Sequence, residues 1–222
     1  MINMSTITED EQEVTTIAER VFHSLCDAIV VGEIPAGSKI SEPELAKQFD
    51  ISRASLRDAI GRLEACNLVV RRPNVGARVV SLSLQELVEI YQIREALEGM
   101  AARLAAELMS DAELDQLQTL LDGELQANPN DINNDFHYAI VKAAQNNRLG
   151  HLLHDDLYHL MRMYRYQLGR ESGRASSASK EHGLIMDALR DHDGEMAELL
   201  MRRHIRVSRK YIEEVIKQQN EN

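Results

Sequence analysis

The chain has 222 residues, which is enough for two modest domains or one large domain. Aromatic residues are sparse and tryptophan is absent, whereas Leu, Ala and Met are frequent, so the composition favours helices. The formal net charge of −11 at pH 7 argues against a nucleic-acid-binding protein when the chain is taken as a whole, and no apolar run is long enough to span a membrane.

The charge is unevenly distributed along the chain. Residues 1–13 contain four acidic residues and no basic residue, and they do not resemble a signal peptide, so we expect a flexible N-terminal tail. Residues 14–80 contain nine Lys and Arg against eight Asp and Glu, and are the least acidic part of the chain. Cys26 and Cys66 form no metal or redox motif, so we expect two buried thiols without a disulfide, as suits the cytoplasm.

The first 82 residues predict three helices followed by a hairpin. Apolar residues at helical spacing predict a first helix over about 14–31. Ser41 and Glu44 have the spacing of a capping box, which predicts the start of a second helix. A third helix is predicted over about 52–66, and two short strands follow at 68–72 and 77–81.

This order of elements is that of a winged helix-turn-helix, which holds one helix in the major groove of DNA. We therefore expect a DNA-binding domain over residues 14–82. The polar face of its third helix carries Ser52, Arg53, Ser55 and Arg57. Arginine and serine side chains there can bond base edges and phosphates, and Arg71 and Arg72 lead into the wing. The alternative is a solvated basic face, but the hairpin directly after the helix favours DNA binding.

From Leu84 onward the patterning is helical throughout. Six helices are predicted, at about 84–109, 111–127, 131–145, 148–169, 175–191 and 194–218. The predicted fold is therefore mostly α, with an N-terminal winged helix-turn-helix followed by an all-α antiparallel helical bundle over residues 83–219.

Three histidines fall on or beside the predicted inward faces of this bundle: His137, His182 and His204. A buried imidazole needs a hydrogen-bond partner or a metal, and their spacing alone does not decide between the two. Asn133 is four residues before His137 and shares its helix face. Four other histidines match no motif and are expected to be surface or core residues: His151, His154, His159 and His192.

Arg94 falls on a predicted buried stripe of the first bundle helix. An inward-facing guanidinium needs an anionic partner. The partner is either an acidic residue of the chain, which makes a structural salt bridge, or the carboxylate of a small ligand, which the guanidinium would hold through two hydrogen bonds.

The DNA-binding segment resembles the GntR family of bacterial transcription regulators. The resemblance rests on three stretches: GSKISEPELA from Gly37, ISRASLRDAIGRL from Ile51 and LVVRRPNVG from Leu68. It implies DNA contacts by Ser52, Arg53, Ser55, Arg57 and Gly76. Pro43 and Val75 depart from the family pattern at positions where basic residues are usual, so the resemblance implies the docking mode rather than the operator sequence.

The helical part resembles the FCD domain of FadR-like regulators, in its shorter form with six helices. The matching stretches are IYQIREALEGMAARLAA, NNDFHYAIVKAAQNNRL and EHGLIMDALRDHDGEMAELLMRRH. The resemblance implies a divalent metal held by Asn133, His137, His182 and His204, with Asn133 standing where an Asp is usual. Imidazole ligands favour zinc or nickel. It also implies a small organic acid as the effector, with Arg94 as the clamp for its carboxylate.

These observations predict a metabolite-responsive transcription regulator that binds a palindromic operator as a homodimer. One alternative is a metal-dependent enzyme that uses the three histidines. No carboxylate is obviously placed as its general base, and the chain lacks a hydrolase motif such as HExxH. Another alternative is a structural nucleoid or adaptor protein, which predicts no metal, no small ligand and little sequence preference.

Overall fold

The computed structural model describes residues 16–73, 75–123, 135–169 and 174–221, so the predicted N-terminal tail and Asn133 lie outside the described residues. The chain divides into two compact units. The first contains Met1–Ser81 together with His159–Gln167, and the second contains the rest. None of the described helices is long and apolar enough to cross a membrane.

The first unit has the predicted order of three helices and a hairpin. Its elements are α1 (Ile17–Val30), α2 (Glu42–Gln48), α3 (Arg53–Ala65), β1 (Val69–Arg72) and β2 (Gly76–Val79). Helix α1 packs against α3, and fully buried aliphatic side chains from both helices, such as Leu25, Ile29, Leu56 and Ile60, form the core. The packing leaves the opposite face of α3 in solvent.

The predicted capping box at Ser41 is wrong, although Ser41 is the residue that precedes α2. The Ser41 side chain makes no capping hydrogen bond. A capping hydroxyl accepts from the second or third N–H of a helix; Pro43 at the second position has no N–H to donate, and the Ser41 hydroxyl does not accept from Glu44 N at the third position either. A complete capping box occurs instead at Ser83, whose hydroxyl accepts from Glu86 N while the Glu86 carboxylate accepts from Ser83 N.

The wing is an antiparallel hairpin in which Val69 pairs with Val79 and Arg72 pairs with Gly76. Gly76 has a φ of +85°, a left-handed conformation that favours glycine. The segment before α2 lies along β2, because Lys39 forms a bridge with Arg78. Backbone hydrogen bonds such as Ile40 N to Ala77 O hold the hairpin against the segment that precedes α2.

The second unit is built from helices. Their bounds are α4 (Leu84–Leu108), α5 (Asp111–Gly123), α6 (Phe136–Ala143), α7 (Asn147–Gly150), α9 (Arg174–Arg190) and α10 (Gly194–Glu221). The helix predicted over 131–145 is described only as α6, since residues 131–134 lie outside the described ranges. The single helix predicted over 148–169 is interrupted: a π-helical stretch, His151–Leu157, separates α7 from α8 (Tyr158–Gly169), whose residues 159–167 belong to the first unit.

Helices α4 and α10 form the long pair of the second unit. The buried face of α4 carries small side chains, the alanines at 101, 102, 105 and 106, so a neighbouring helix can approach closely. At Gly99 a β-carbon would lie 2.5 Å from Arg202 Cγ, which shows how near α10 comes at this level. Helices α6 and α9 also pack on α4, and all four contribute to the candidate site.

Candidate DNA-binding surface and candidate metal centre

The exposed N-terminal turns of α3 present the side chains that the sequence predicted for DNA binding. Ser52 caps the helix by accepting a hydrogen bond from Ser55 N at 3.1 Å, and the two hydroxyl oxygens are 2.9 Å apart. The Ser52 hydroxyl thus caps the helix, and its hydrogen bond with the Ser55 hydroxyl is exposed to solvent. Arg53 and Arg57 are exposed and one helical turn apart.

Two glutamates that the sequence did not single out pair with Arg57 and Arg71. Arg57 Nε donates to Glu42 Oε2 at 2.9 Å, and Arg71 Nη2 lies 3.8 Å from Glu42 Oε1. Arg71 Nε lies 3.4 Å from Glu64 Oε1. Glu42 and Arg57 are 15 residues apart and on different helices, so no local pattern could have revealed the pair.

The wing arginines differ in their surroundings. Arg72 is exposed beside Gly76 at the end of the hairpin. Arg78 Nη1 donates to Gly37 O at 2.9 Å, so its guanidinium is tied to the backbone of the same unit. Val75, which departs from the family pattern, is 43% exposed next to the tip.

In the second unit the structure brings the three predicted histidines together. His137 on α6, His182 on α9 and His204 on α10 are all buried, and one ring nitrogen from each lies within 4.8 Å of the others. His182 Nε2 and His204 Nε2 are 3.3 Å apart. The rings come from three helices, and Phe136 stacks on His182 with centroids 4.6 Å apart.

Two carboxylates bond the outer nitrogens of this cluster. His137 Nδ1 donates to Glu98 Oε2 at 2.7 Å, and His204 Nδ1 donates to Glu181 Oε2 at 2.7 Å. A neutral imidazole that donates from Nδ1 has its lone pair on Nε2. The carboxylates therefore select the tautomer in which the inner nitrogens of His137 and His204 can bind a metal.

The donor set fits a tetrahedral transition metal. With metal–nitrogen bonds of about 2.0–2.1 Å, two nitrogens of a tetrahedral zinc site are about 3.3–3.4 Å apart. The distance of 3.3 Å between the Nε2 atoms of His182 and His204 matches that edge. In a metal-free cluster, this contact would instead be an N–H···N hydrogen bond from His182 to His204. A measurement of metal content distinguishes the two states.

Arg94 lies beside this cluster and is buried, as the sequence predicted. Its Nε donates to Glu98 Oε1, so the salt-bridge alternative is present, with Glu98 as the partner. The guanidinium also lies 4.8 Å from the centre of the Tyr91 ring. Burial by itself raises the pKa of Glu98, but the charge of Arg94 and the hydrogen bonds from His137 and Arg94 outweigh it and hold that pKa well below its usual range.

One of the histidines without a motif adjoins the cluster. His154, in the π-helical stretch, stacks on Tyr138 with ring centroids 3.8 Å apart. Tyr138 directly follows His137 in α6. Burial lowers the pKa of His154. The sequence pattern could not predict this position of His154, because a π-helical turn changes which residues share a helix face.

Another such histidine belongs to the first unit. His159 Nδ1 is 3.3 Å from Cys26 Sγ, and Arg162 approaches Asp27 at 3.8 Å. Burial, followed by the nearby charges of Arg162 and His23, lowers the pKa of His159 to about 4. Burial raises the pKa of the Cys26 thiol to about 12, so both groups are neutral near pH 7.

Comparison with protein families identifies both parts of the chain. The profile of the bacterial regulatory proteins of the gntR family matches residues 17–79. The profile of the FCD domain matches residues 89–207. The two matches together span the winged unit and most of the helical bundle.

Curated relatives extend over most of the chain. A probable D-xylose utilization operon transcriptional repressor of Paenarthrobacter nicotinovorans is 30% identical over 200 residues, covering 86% of either chain. The transcriptional regulator LutR of Bacillus subtilis is 27% identical over 202 residues, covering 78% of this chain and 91% of the relative. Among solved structures, E. coli McbR/YncC matches with a TM-score of 0.72 at 20% identity, covering 91% of this chain and 100% of that one, which bears on the fold alone.

Proposed function

The chain belongs to the GntR family of bacterial transcriptional regulators and carries an FCD domain, and from this premise we propose that it is a metabolite-responsive regulator that senses a small carboxylate beside a divalent metal. Its family and relatives are regulators and not enzymes, which removes catalysis by the three histidines as the alternative function. Because such a protein acts on the chromosome, we place it in the cytoplasm.

We assign sequence reading to the exposed turn of α3. Ser52, Arg53, Ser55 and Arg57 would enter the major groove, and Arg71, Arg72 and Gly76 would follow the backbone from the wing. A homodimer would present two such helices to a palindromic operator. This assignment is supported by the exposure of both α3 arginines and by the wing beside them.

Substitution of the two arginines tests this assignment. Arg53→Ala and Arg57→Ala should each weaken operator binding by about tenfold or more, because a bidentate base contact is worth about 1–3 kcal/mol. Arg62→Ala removes the same charge from the same helix, where Arg62 is paired with Glu19 and Asp58, and should change binding little. The measurement is fluorescence anisotropy on the DNA sequence that the wild-type protein selects from a random pool, and unchanged binding by the first two variants would refute the assignment.

The single observation that carries the sensing proposal is the buried cluster of His137, His182 and His204, with two of its outer nitrogens bonded to carboxylates. FCD domains bind metal in some members. We propose zinc or nickel, held by these three imidazoles and by Asn133. When bound, the metal would supply a Lewis-acidic position for an oxygen of the effector.

Elemental analysis of protein purified without chelators tests the metal. We expect about one zinc or nickel per chain. His182→Ala should lose the metal, whereas His151→Ala, at an exposed histidine of the same unit, should retain it. The proposal would be overturned if well-folded wild-type protein bound no zinc when zinc was added and no nickel when nickel was added.

We propose that Arg94 receives the effector carboxylate. Its Nε is committed to Glu98, while the terminal nitrogens of a guanidinium form a separate fork that suits a carboxylate. Arg94→Lys keeps a cation beside Glu98 but removes that fork. Acetate, malate and citrate serve as probes. The acid concentration needed to release half of the bound operator DNA should rise at least tenfold in this variant. Arg103→Lys, an exposed control on α4, should respond like wild type, and an unchanged Arg94→Lys would exclude the clamp.

A further inference from the structure

A row of alternating charges crosses the DNA-binding unit. Arg57 on α3, Glu42 at the start of α2, Arg71 on β1 and Glu64 at the end of α3 approach one another in that order at 2.9, 3.8 and 3.4 Å. The glutamate side chains are 25% and 31% exposed, whereas Arg57 is 64% exposed and Arg71 is 43% exposed. The two carboxylates are thus the more buried members of the row, and the guanidinium groups are the more exposed ones.

Glu42 is the centre of this row, because its two oxygens face arginines from two different elements. Exposed ion pairs of this kind contribute little to folding stability, because solvent screens them and ordering long side chains is unfavourable. Their effect on orientation is different. Arg57 bonds Glu42 through Nε only, so its terminal nitrogens keep their donors for another partner.

We propose that Glu42 is a positioning residue for sequence discrimination: its carboxylate holds Arg57, and with it Arg71, in the orientation that reads one DNA sequence better than others. The inference rests on the proposed role of Arg57 in DNA reading. A guanidinium held in one orientation loses less rotamer freedom on binding, and it bonds a base edge only where the base offers acceptors in the matching direction.

The same carboxylate acts against DNA that is bound without regard to sequence. Non-specific affinity comes from cations near the phosphates, and an acidic group among them reduces it. Glu42 should therefore lower the affinity for arbitrary DNA while supporting the affinity for the cognate sequence. Opposite effects on two kinds of DNA distinguish positioning from a simple change in net charge.

The test compares Glu42→Gln with Glu44→Gln. Glu44 is an exposed residue of α2 that forms no ion pair with any described residue, so its substitution removes the same charge from the same helix. The probes are the duplex that wild-type protein selects from a random pool and a scrambled duplex of equal composition. Dissociation constants for both are measured by anisotropy at several salt concentrations.

We expect Glu42→Gln to bind the scrambled duplex more tightly and the selected duplex more weakly, with a loss of about tenfold in the ratio. Glu44→Gln should change both affinities in the same direction and leave the ratio as in wild type. Selected duplexes with single base-pair changes should show that the lost discrimination is confined to one or two positions per half-site, which a general loss of structure would not produce.

An unchanged ratio in Glu42→Gln, or a loss spread evenly over all base positions, would overturn the inference. Circular dichroism and thermal unfolding check that the variant is folded, and Glu42→Asp gives a second variant that keeps the charge but shortens its reach. Arg57→Ala separates the two proposals: if it binds DNA like wild type, the reading role fails, whereas if it fails to bind while Glu42→Gln keeps its ratio, only the positioning role fails.

Discussion

The histidine cluster is organised by carboxylates that lie outside it. Glu98 and Glu181 accept from the Nδ1 atoms of His137 and His204, both at 2.7 Å. A carboxylate behind an imidazole fixes its ring orientation and increases the electron density on the opposite nitrogen. Metal affinity should therefore depend on residues that do not touch the metal.

Substitution of Glu181 isolates this effect. Glu181→Gln should weaken zinc binding by about 10–100-fold, because a neutral amide supports the imidazole of His204 less well than a carboxylate. Glu98→Gln should do the same at His137, with an added loss of stability because Arg94 would keep a buried charge without its partner. The measurement is competition with a chromophoric chelator, with Glu89→Gln as an exposed control on α4. Equal zinc affinities in wild type and the three variants would contradict this account.

His159 makes the stability of the first unit depend on pH. The unfolded side chain takes up a proton near pH 6.5, whereas the folded one does so only near pH 4. Between these values the unfolded chain binds more protons, so stability falls as the pH falls. From pH 7 to 4.5, wild type should lose about 2 kcal/mol more than His159→Gln in urea unfolding followed by circular dichroism. His151→Gln, at an exposed position, is the control, and identical pH profiles for wild type and His159→Gln would contradict the prediction.

Between elements, the close contact of α4 with α10 depends on a residue without a side chain. A β-carbon at Gly99 would lie 2.5 Å from Arg202 Cγ and 3.4 Å from Glu198 Cγ, so an added methyl group must displace α10 or the stem of Arg202. Gly99→Ala should therefore destabilise the helical unit by about 1–3 kcal/mol despite the better helix propensity of alanine.

Gly183→Ala is the matched control for Gly99→Ala. Gly183 lies inside α9, and a β-carbon there meets no described atom within 4 Å. Alanine should stabilise that helix by about 0.5–1 kcal/mol because it loses less backbone freedom on folding. Opposite shifts in the thermal unfolding of the two variants would confirm that the α4–α10 contact, and not helix propensity, decides the outcome at Gly99.

Local patterns account for most of the elements but not for their contacts. Helical periodicity predicted α3 and the burial of Arg94, because each depends on residues within a few turns. The capping box was predicted at Ser41 and occurs at Ser83, since the Ser41 hydroxyl accepts no N–H of its helix whereas the Ser83 hydroxyl accepts from Glu86 N. The π-helical stretch has no periodic signature of its own and appeared in the sequence as ordinary helix.

The partners of the site residues were beyond the reach of sequence reasoning for a different reason. The three histidines were selected by their inward phase and by the family resemblance. Glu98 contacts His137 across 39 residues, and Glu42 contacts Arg57 across 15. With acidic residues at 36 positions of the chain, nothing local indicates which of them supplies each partner.

At the scale of the whole molecule, the proposed DNA-reading surface and the proposed metal site lie in separate units. Arg53 and Arg57 belong to the first unit and the histidine cluster belongs to the second. An effector in the second unit can influence DNA affinity only if it binds two arrangements of the protein unequally. By linkage, cognate DNA must then change effector affinity by the same factor, which gives a check on the sensing proposal that requires no structure.

An exposed apolar stripe on α4 supports the proposed homodimer. Ile93, Met100 and Leu108 are 52%, 45% and 47% exposed, and Leu97 and Leu104 lie between them at helical spacing. A helix face of this kind exposes apolar area that a second copy would bury. Burial of the same face by both copies would make a two-fold interface.

Met100→Glu should separate such a dimer, because a carboxylate would be buried without a partner at the centre of the interface. Gln92→Glu adds the same charge to an exposed position on another face of α4 and should leave the dimer intact. Sedimentation velocity at micromolar concentration measures the state of both variants. Because a monomer contacts one half-site only, Met100→Glu should also bind the selected duplex at least about 100-fold more weakly. If Met100→Glu remains a dimer with full affinity, the stripe is not the interface and another surface must join the two copies.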